Sequence, residues 1–174
     1  QFNDRIRTIK KLMPLLDMVT PNYDEVLAIV GVEVESQETL QQAAQAFIRL
    51  GASSVLIKGG HGSQPSEDYF YSDEHNFYLR HTEHDKQFTR GTGCIYASLI
   101  AGSLALGGSL PDSVVMAKMQ LDAGFKQRFK LDSDSGSLQP PKWQAPLNIE
   151  PDEKLLTELP QVYGQEFEQQ LTFK

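Results

Sequence analysis

The stretch that decides the fold class is Ser54-Val55-Leu56-Ile57-Lys58-Gly59-Gly60. Its aliphatic residues run without interruption and end at a pair of glycines, which is typical of a buried central strand of a parallel sheet. The segment before it starts at Ser36, a suitable N-cap, and ends at Gly51, so it predicts a helix with one apolar face. That face consists of Leu40, Ala43, Ala44, Phe47 and Ile48. A crossover helix that leads into a buried strand indicates the α/β class.

The chain upstream of this helix predicts a helix, a short strand and another helix. Apolar residues recur at helical spacing until Pro14, which ends or kinks the first helix. Residues 15–20 then predict a short buried strand, and Asn22 is a suitable N-cap for a helix over residues 23–30. Asn22 and Glu25 are therefore expected at a corner between a strand and a helix.

Downstream of Gly60, the aromatic-rich segments 68–71 and 76–80 predict a hairpin. The expected sheet is thus mostly parallel, with flanking helices and an antiparallel hairpin at its margin. A glycine turn at residues 91–93 leads into small and apolar residues over 94–106, which predict a buried helix. A final helix is expected from about Ser109, and its apolar residues are Val114, Val115, Leu121 and Phe125.

The composition changes at residue 132. We expect residues 1–131 to form the folded part and residues 132–174 to form an extended tail rich in Pro and Gln, with a short helix around Gln165. The chain begins at Gln1 rather than Met, with a helix already under way, which suggests that residues precede it.

Charge and cysteine content exclude several classes of protein. With 16 Lys and Arg against 23 Asp and Glu, the net charge is -7, so the footprint of a non-specific binder of nucleic acid or anionic membrane is missing. A single cysteine, Cys94, excludes an intrachain disulfide framework and a Cys-rich zinc site, and fits a reducing cytosol. No apolar run approaches bilayer length, and the first residues lack the features of a signal peptide. The expected location is the cytoplasm.

The sharpest motif is Gly91-Thr92-Gly93-Cys94 before an apolar helix. Glycines allow successive N–H groups to point outward at a helix N-terminus, where an anion is favoured. In phosphoryl transfer those amides would stabilise charge on the transferred group, and Cys94 could accept a hydroxyl proton. The alternative is a tight turn followed by a small buried thiol.

Two other corners also have two interpretations. Asn22 and Glu25 form either an N-cap with a first-turn carboxylate or a set of oxygens that orders Mg²⁺ waters and phosphates. Lys58, at the end of a buried strand, either meets a phosphate or extends its ammonium group to solvent beside a turn. The four histidines do not have the spacing of a metal site.

Taken in order, these motifs resemble the vitamin-kinase branch of the ribokinase-like superfamily, and most closely the hydroxymethylpyrimidine/phosphomethylpyrimidine kinases of thiamine biosynthesis. The resemblance covers about residues 1–130 and includes Ala117-Lys118 in the final helix. The matching motifs are Val19-Thr20-Pro21-Asn22 with Glu25, Lys58-Gly59-Gly60-His61, Asp68-Tyr69-Phe70-Tyr71 and Gly91-Thr92-Gly93-Cys94. Arg90 departs from the histidine expected before the last motif.

The resemblance implies an ATP- and Mg²⁺-dependent phosphotransferase with assigned roles. Cys94 takes the position of the catalytic base, and the amides of Gly91, Thr92 and Gly93 form the anion hole. Asn22 and Glu25 order Mg²⁺ through water, as well as the phosphates, and Lys58 lies near the nucleotide phosphates. The expected partners are a small pyrimidine substrate and ATP, with neither nucleic acid nor membrane.

The resemblance also implies that residues 1–131 are the C-terminal half of a kinase domain, without the half that grips the ring. The chain alone is therefore expected to be inactive, and either to self-associate or to pair with a missing N-terminal half. Two alternatives stay open: a thiazole or pyridoxal-type kinase, and a non-catalytic remnant that binds a nucleotide or a partner.

Overall fold

A computed structural model describes residues 2–59, 67–80, 91–126, 129–131, 135–137 and 161–163. The chain divides into two compact units, one of residues 1–80 and 162–174 and the other of residues 81–161. The helices are α1 (Phe2–Leu12), α2 (Tyr23–Val30), α3 (Gln37–Arg49), α4 (Thr92–Ala105) and α5 (Leu110–Lys126). The strands are β1 (Ser54–Ile57), β2 (Glu67–Ser72), β3 (Asn76–Arg80), β4 (Phe129–Leu131), β5 (Ser135–Ser137) and β6 (Gln161–Tyr163).

Local sequence signals explain the helix ends of the first unit. A short 3-10 turn, Met13–Leu15, follows α1 and contains Pro14, which cannot continue the helix. Asn22 caps α2, which ends at Gly31, and the Ser36 side chain accepts the Thr39 N–H at the start of α3. The three predicted helices of this unit are confirmed.

The main sheet has the strand order β1-β2-β3-β6. Strand β1 pairs with β2 in the antiparallel sense, and β2 pairs with β3 likewise, so the predicted hairpin is confirmed. On its other side β1 has two parallel bridges, Val19 with Val55 and Asn22 with Lys58. The predicted strand over residues 15–20 is thus reduced to a single bridge at Val19, because Pro21 lacks the N–H that would continue the ladder toward the bridge at Asn22.

Strand β1 is buried, as its apolar run predicts, but it lies at one end of the strand order and pairs antiparallel with β2. The expectation of a central strand in a mostly parallel sheet is therefore not met among the described strands, where the parallel contacts of β1 are isolated bridges. All four of its residues are buried. Helices α2 and α3 pack against one face through Val26 and Phe47, which share a core with Val55 and Ile57. The hairpin adds stacked rings, with 4.5 Å between the centroids of Tyr69 and Tyr78. Side chains of α2, α3 and the hairpin therefore pack around β1.

In the second unit α4 and α5 pack against each other. The Ser113 hydroxyl donates to the Ser103 hydroxyl at 2.9 Å, and the Lys118 ammonium lies 5.9 Å from the centre of the Tyr96 ring. Only Tyr96 and Ile100 of α4 are buried, so the prediction of a buried α4 is wrong. The small side chains of this helix carry little apolar surface, so exposing them costs little.

Beyond α5, strands β4 and β5 pair in the antiparallel sense. Strand β6 lies in the predicted tail and joins the main sheet. The predicted helix around Gln165 lies outside the described residues, and the boundary at residues 131 and 132 stays a prediction. In the part of the chain that the structure describes, no helix has the length and apolar character needed to cross a bilayer.

Candidate functional site

The first corner of the site is the N-terminus of α2. The Glu25 N–H donates to Asn22 Oδ1 at 2.8 Å, and the Asn22 N–H donates to Glu25 Oε2 at 2.8 Å. This reciprocal pair is a capping box, and it satisfies two N–H groups at the helix start. The capping interpretation of the motif is confirmed. The same contacts fix the orientation of both side chains, with Glu25 exposed at the corner.

The second corner, Lys58, lies directly beside the first. Lys58 and Asn22 face each other in a parallel bridge, and the Lys58 N–H donates to the Pro21 carbonyl at 2.8 Å. Lys58 is half-buried, just past the end of β1. The structure therefore brings Asn22, Glu25 and Lys58 together at one edge of the first unit. Such an edge, at the carboxyl ends of parallel segments, is where open α/β sheets bind ligands.

Asp68 is a polar residue of this region to which sequence reasoning gave no role. It is buried, with 3% of its surface exposed, and its Oδ1 accepts the Gly59 N–H at 2.9 Å. Gly59 lies so close to β2 that a Cβ at this position would be 2.2 Å from the Glu67 carbonyl oxygen. The sequence signal was an aspartate at the head of an apolar strand, where a buried carboxylate needs a partner. Gly60 and His61 of the same motif lie outside the described residues.

Tyr23, the first residue of α2, lies near these acids. Burial raises the pKa of its hydroxyl above the ordinary value, and the charges of Asp68 and Glu67 raise it further. Glu67 also forms an ion pair with Arg80, with 3.1 Å between Oε2 and the guanidinium nitrogen. The corner thus combines a lysine and an asparagine with a buried aspartate and a partly buried glutamate.

The glycine turn belongs to the second unit. Gly91 is the N-cap of α4 and has φ of 83°, a left-handed conformation that glycine adopts without strain. Thr92 and Gly93 form the start of the helix, where backbone N–H groups have no partner within the helix itself. Cys94 is exposed in the same turn. The alternative interpretation, a small buried thiol, is therefore wrong, and the role of Cys94 as a base stays a prediction. Arg90 lies outside the described residues.

No metal cage of side chains is present among the described residues, where no group of three or more His, Cys, Asp or Glu side chains is suitably placed. The oxygens at the first corner are the amide of Asn22 and the carboxylate of Glu25. Each oxygen that accepts a backbone N–H there keeps a second lone pair. Mg²⁺ prefers such oxygen ligands and often keeps several waters. The corner therefore fits a magnesium ion held through water.

Comparison with known proteins identifies relatives over most of the chain. The family model described as phosphomethylpyrimidine kinase matches residues 3–139. A hydroxymethylpyrimidine/phosphomethylpyrimidine kinase of Streptomyces coelicolor is 35% identical over 133 residues, covering 76% of this chain and 49% of that protein. The protein of the same name from Haemophilus influenzae is 33% identical, covering 73% and 49%. The chain thus spans about half the length of the curated relatives it matches.

A solved structure shares the fold. The pyridoxal kinase from Staphylococcus aureus in complex with AMP-PCP and pyridoxal superposes with a TM-score of 0.73 at 27% identity, covering 78% of this chain and 53% of that chain. The predicted α/β, ribokinase-like fold is thereby confirmed. Since the family model covers well over half of its length, the chain belongs to the phosphomethylpyrimidine kinase family.

Proposed function

We propose that the complete polypeptide is an ATP-dependent kinase that phosphorylates hydroxymethylpyrimidine, its monophosphate or both, in thiamine biosynthesis. The observation that carries this proposal is the pairing of Asn22 with Lys58 at the ligand-binding edge of a chain from this family. A lysine and a helix N-terminus at one edge favour a phosphate. We also place the enzyme in the cytoplasm.

In this function the first unit binds the nucleotide phosphates. Lys58 supplies a positive point charge, and the capped start of α2 holds Asn22 and Glu25 in fixed orientations beside it. Asn22 and Glu25 would hold Mg²⁺ through its waters. When bound, the ion neutralises charge on the phosphates.

The second unit performs the chemistry. The Cys94 thiolate accepts the proton of the substrate hydroxyl as that oxygen forms a bond to the γ-phosphorus of ATP. The bond between the γ-phosphorus and the β,γ-bridging oxygen breaks, and ADP leaves with that oxygen. The Gly91, Thr92 and Gly93 amides donate hydrogen bonds to the transferred group. Two observations support these roles: Gly91 begins α4 in a left-handed conformation, and Cys94 is exposed in its first turn.

A pyridoxal-type kinase is the main alternative, because the solved relative in complex with AMP-PCP and pyridoxal has the same fold and is 27% identical in sequence to this chain. A thiazole kinase and a non-catalytic remnant are further alternatives. The curated relatives at 33–35% identity favour the pyrimidine. A phosphorylation assay of the complete polypeptide against hydroxymethylpyrimidine, its monophosphate, a hydroxyethylthiazole and pyridoxal distinguishes all of them. We expect the highest kcat/KM with a pyrimidine; a higher value with pyridoxal would overturn the proposal, and no turnover with any ring would support the remnant.

We propose that the surface around the end of α1 is covered by another polypeptide segment. Large apolar residues of the first unit are exposed here: Leu12 at 45%, Leu15 at 77% and Leu16 at 36%. Clustered exposed apolar residues mark interaction surfaces. The occupant that we propose is the half of the curated relatives that this chain does not match, since the chain covers only 49% of each of them. Self-association is the outcome that we expect for the isolated chain.

A further inference from the structure

Lys58 is held through both of its flanking peptide groups. In the peptide group before it, the Lys58 N–H donates a hydrogen bond to the Pro21 carbonyl at 2.8 Å. In the peptide group after it, the Gly59 N–H donates a hydrogen bond to Asp68 Oδ1 at 2.9 Å. Because the two peptide planes on either side of a Cα fix the direction of its Cβ, these two hydrogen bonds together fix the direction in which the Lys58 side chain starts.

The second of these hydrogen bonds is unusual for a sheet. Ile57 pairs with Tyr69 in the antiparallel register, so the next positions of β1 and β2 would continue the ladder through backbone carbonyls. Gly59 instead donates to the side chain of Asp68. Just past the end of β1, the Asp68 side chain therefore supplies the acceptor that a backbone carbonyl of β2 would otherwise provide.

The surroundings leave little freedom at this point. Asp68 is 3% exposed, and a Cβ on Gly59 would be 2.2 Å from the Glu67 carbonyl oxygen, so the two backbones are in close contact. A buried acceptor that lost its donor, or a donor that lost its acceptor, would cost more than an exposed one. The charge of Asp68 also contributes to the raised pKa of Tyr23, which places the carboxylate near the start of α2 as well.

We propose that Asp68 is a positioning residue for nucleotide binding: by accepting the Gly59 N–H, it holds the end of β1 so that Lys58 points toward the phosphates. This inference rests on the proposed function, in which Lys58 contacts the nucleotide. Asp68 itself does not touch the nucleotide in this account, and it acts only through the β1 backbone.

The test compares Asp68→Leu and Asp68→Asn in the complete polypeptide. Leucine is similar in size but cannot accept a hydrogen bond, so we expect the KM for ATP to rise by about tenfold, equivalent to one hydrogen bond to a charged group. The KM for the pyrimidine should stay unchanged. Asparagine keeps an acceptor oxygen, so its KM for ATP should stay within about twofold of the wild-type value, since the shape and the hydrogen bond persist. Asp73→Leu, an exposed substitution in the turn of the same hairpin, is the matched control and should change neither constant.

A double-mutant cycle with Lys58→Ala separates positioning from mere stability. If Asp68 acts through Lys58, adding Asp68→Leu to Lys58→Ala should raise the KM for ATP little further. Full additivity of the two effects on KM would overturn the inference. A purely structural role predicts a lower melting temperature and a smaller active fraction with an unchanged KM for ATP, which would overturn it as well.

Two further results complete the test. If Asp68→Leu does not fold, Asp68→Ala replaces it in the cycle. If neither variant folds, Asp68→Asn is the remaining test. A tenfold rise in the KM of Asp68→Asn for ATP would refute the role of the Asp68 hydrogen bond. If the wild-type polypeptide shows no ATP binding by calorimetry, the proposed function fails, and this inference with it. If the wild type binds ATP and the Asp68 variants keep its KM, only the present inference fails.

Discussion

Asn22 and Glu25 hydrogen-bond each other's backbone N–H groups, both at 2.8 Å, so one pair of side chains serves as the cap of α2 and as the oxygen ligands proposed for Mg²⁺. The two functions can be separated by a change at position 25, because glutamine there can also complete a capping box but carries no charge.

Glu25→Gln should raise the Mg²⁺ concentration needed for half-maximal rate and leave the free energy of unfolding nearly unchanged. Asn22→Ala, by contrast, removes the cap and should cost about 1 kcal/mol of stability. Mg²⁺ titrations of the rate and urea denaturation measure the two effects. An unchanged Mg²⁺ titration in Glu25→Gln would leave capping as the only role of this carboxylate.

Cys94→Ala should lower kcat by about 10²-fold or more, since a general base is lost, while ATP binding stays nearly intact. Because Cys94 is exposed, the melting temperature should change little. Single-turnover kinetics and calorimetric titration with ATP separate chemistry from binding. Near-wild-type turnover would return Cys94 to the role of a small residue at a helix start.

Gly59→Ala should destabilise the first unit by about 1–3 kcal/mol, because the added Cβ would press on the Glu67 backbone. Gly102→Ala is the matched control: it lies within α4, and nothing is within 4 Å of the added Cβ. In the control, alanine should stabilise by up to about 1 kcal/mol through helix propensity. Urea denaturation of both variants measures the difference, and equal effects would contradict the close contact of Gly59 with β2.

Tyr69 makes stability depend on pH in the alkaline range. Burial raises the pKa of its hydroxyl well above the ordinary value, so the folded state keeps a proton that the unfolded state loses. Stability should therefore be unaffected by this group below about pH 10 and fall above it by about 1.4 kcal/mol per pH unit. Denaturation between pH 9 and about pH 11 tests this expectation, and Tyr69→Phe should show a shallower decline. An equal decline in both proteins would assign the effect to other groups.

Residues 1–174 purified alone should self-associate and show no phosphorylation of a pyrimidine. Exposed apolar side chains at the end of α1, with Leu15 at 77%, promote association. Leu15→Lys should reduce the mass measured by light scattering more than Leu106→Lys does, although Leu106 is also 63% exposed. A monomer with full kinase activity would show that the surface needs no partner and that the substrate-binding groups are present in this chain.

Sequence reasoning predicted the features that depend on neighbouring residues. The caps at Asn22 and Ser36 and the hairpin of β2 and β3 are set within a few positions of the chain, where residue type alone determines the geometry. The site residues Asn22 and Glu25 could be placed on a corner for the same reason.

Features that depend on distant partners were not predicted. The antiparallel partner of β1 and the contact of Gly59 with Asp68 follow from how β2 packs, and no local pattern shows which strand will be the neighbour. The sequence left open whether Cys94 is exposed, because a run of small residues is consistent with both a buried and an open helix.

The parallel side of β1 has a consequence for the order of folding. The Ser54 hydroxyl donates to the Asp17 carbonyl across 37 positions of the chain, whereas the Ser72 and His75 contact of the hairpin turn spans 3. Closing the longer loop costs more chain entropy, and the segments on that side are joined by isolated bridges rather than by a continuous ladder. The hairpin should thus form early, and the segment around Asn22 should dock beside Lys58 late. The amide hydrogens of that segment should therefore exchange before those of the hairpin. The corner with Asn22, Glu25 and Lys58 would then be the last part of the first unit to form. A nucleotide bound there, as proposed, should slow the exchange of its amide hydrogens more than that of the core.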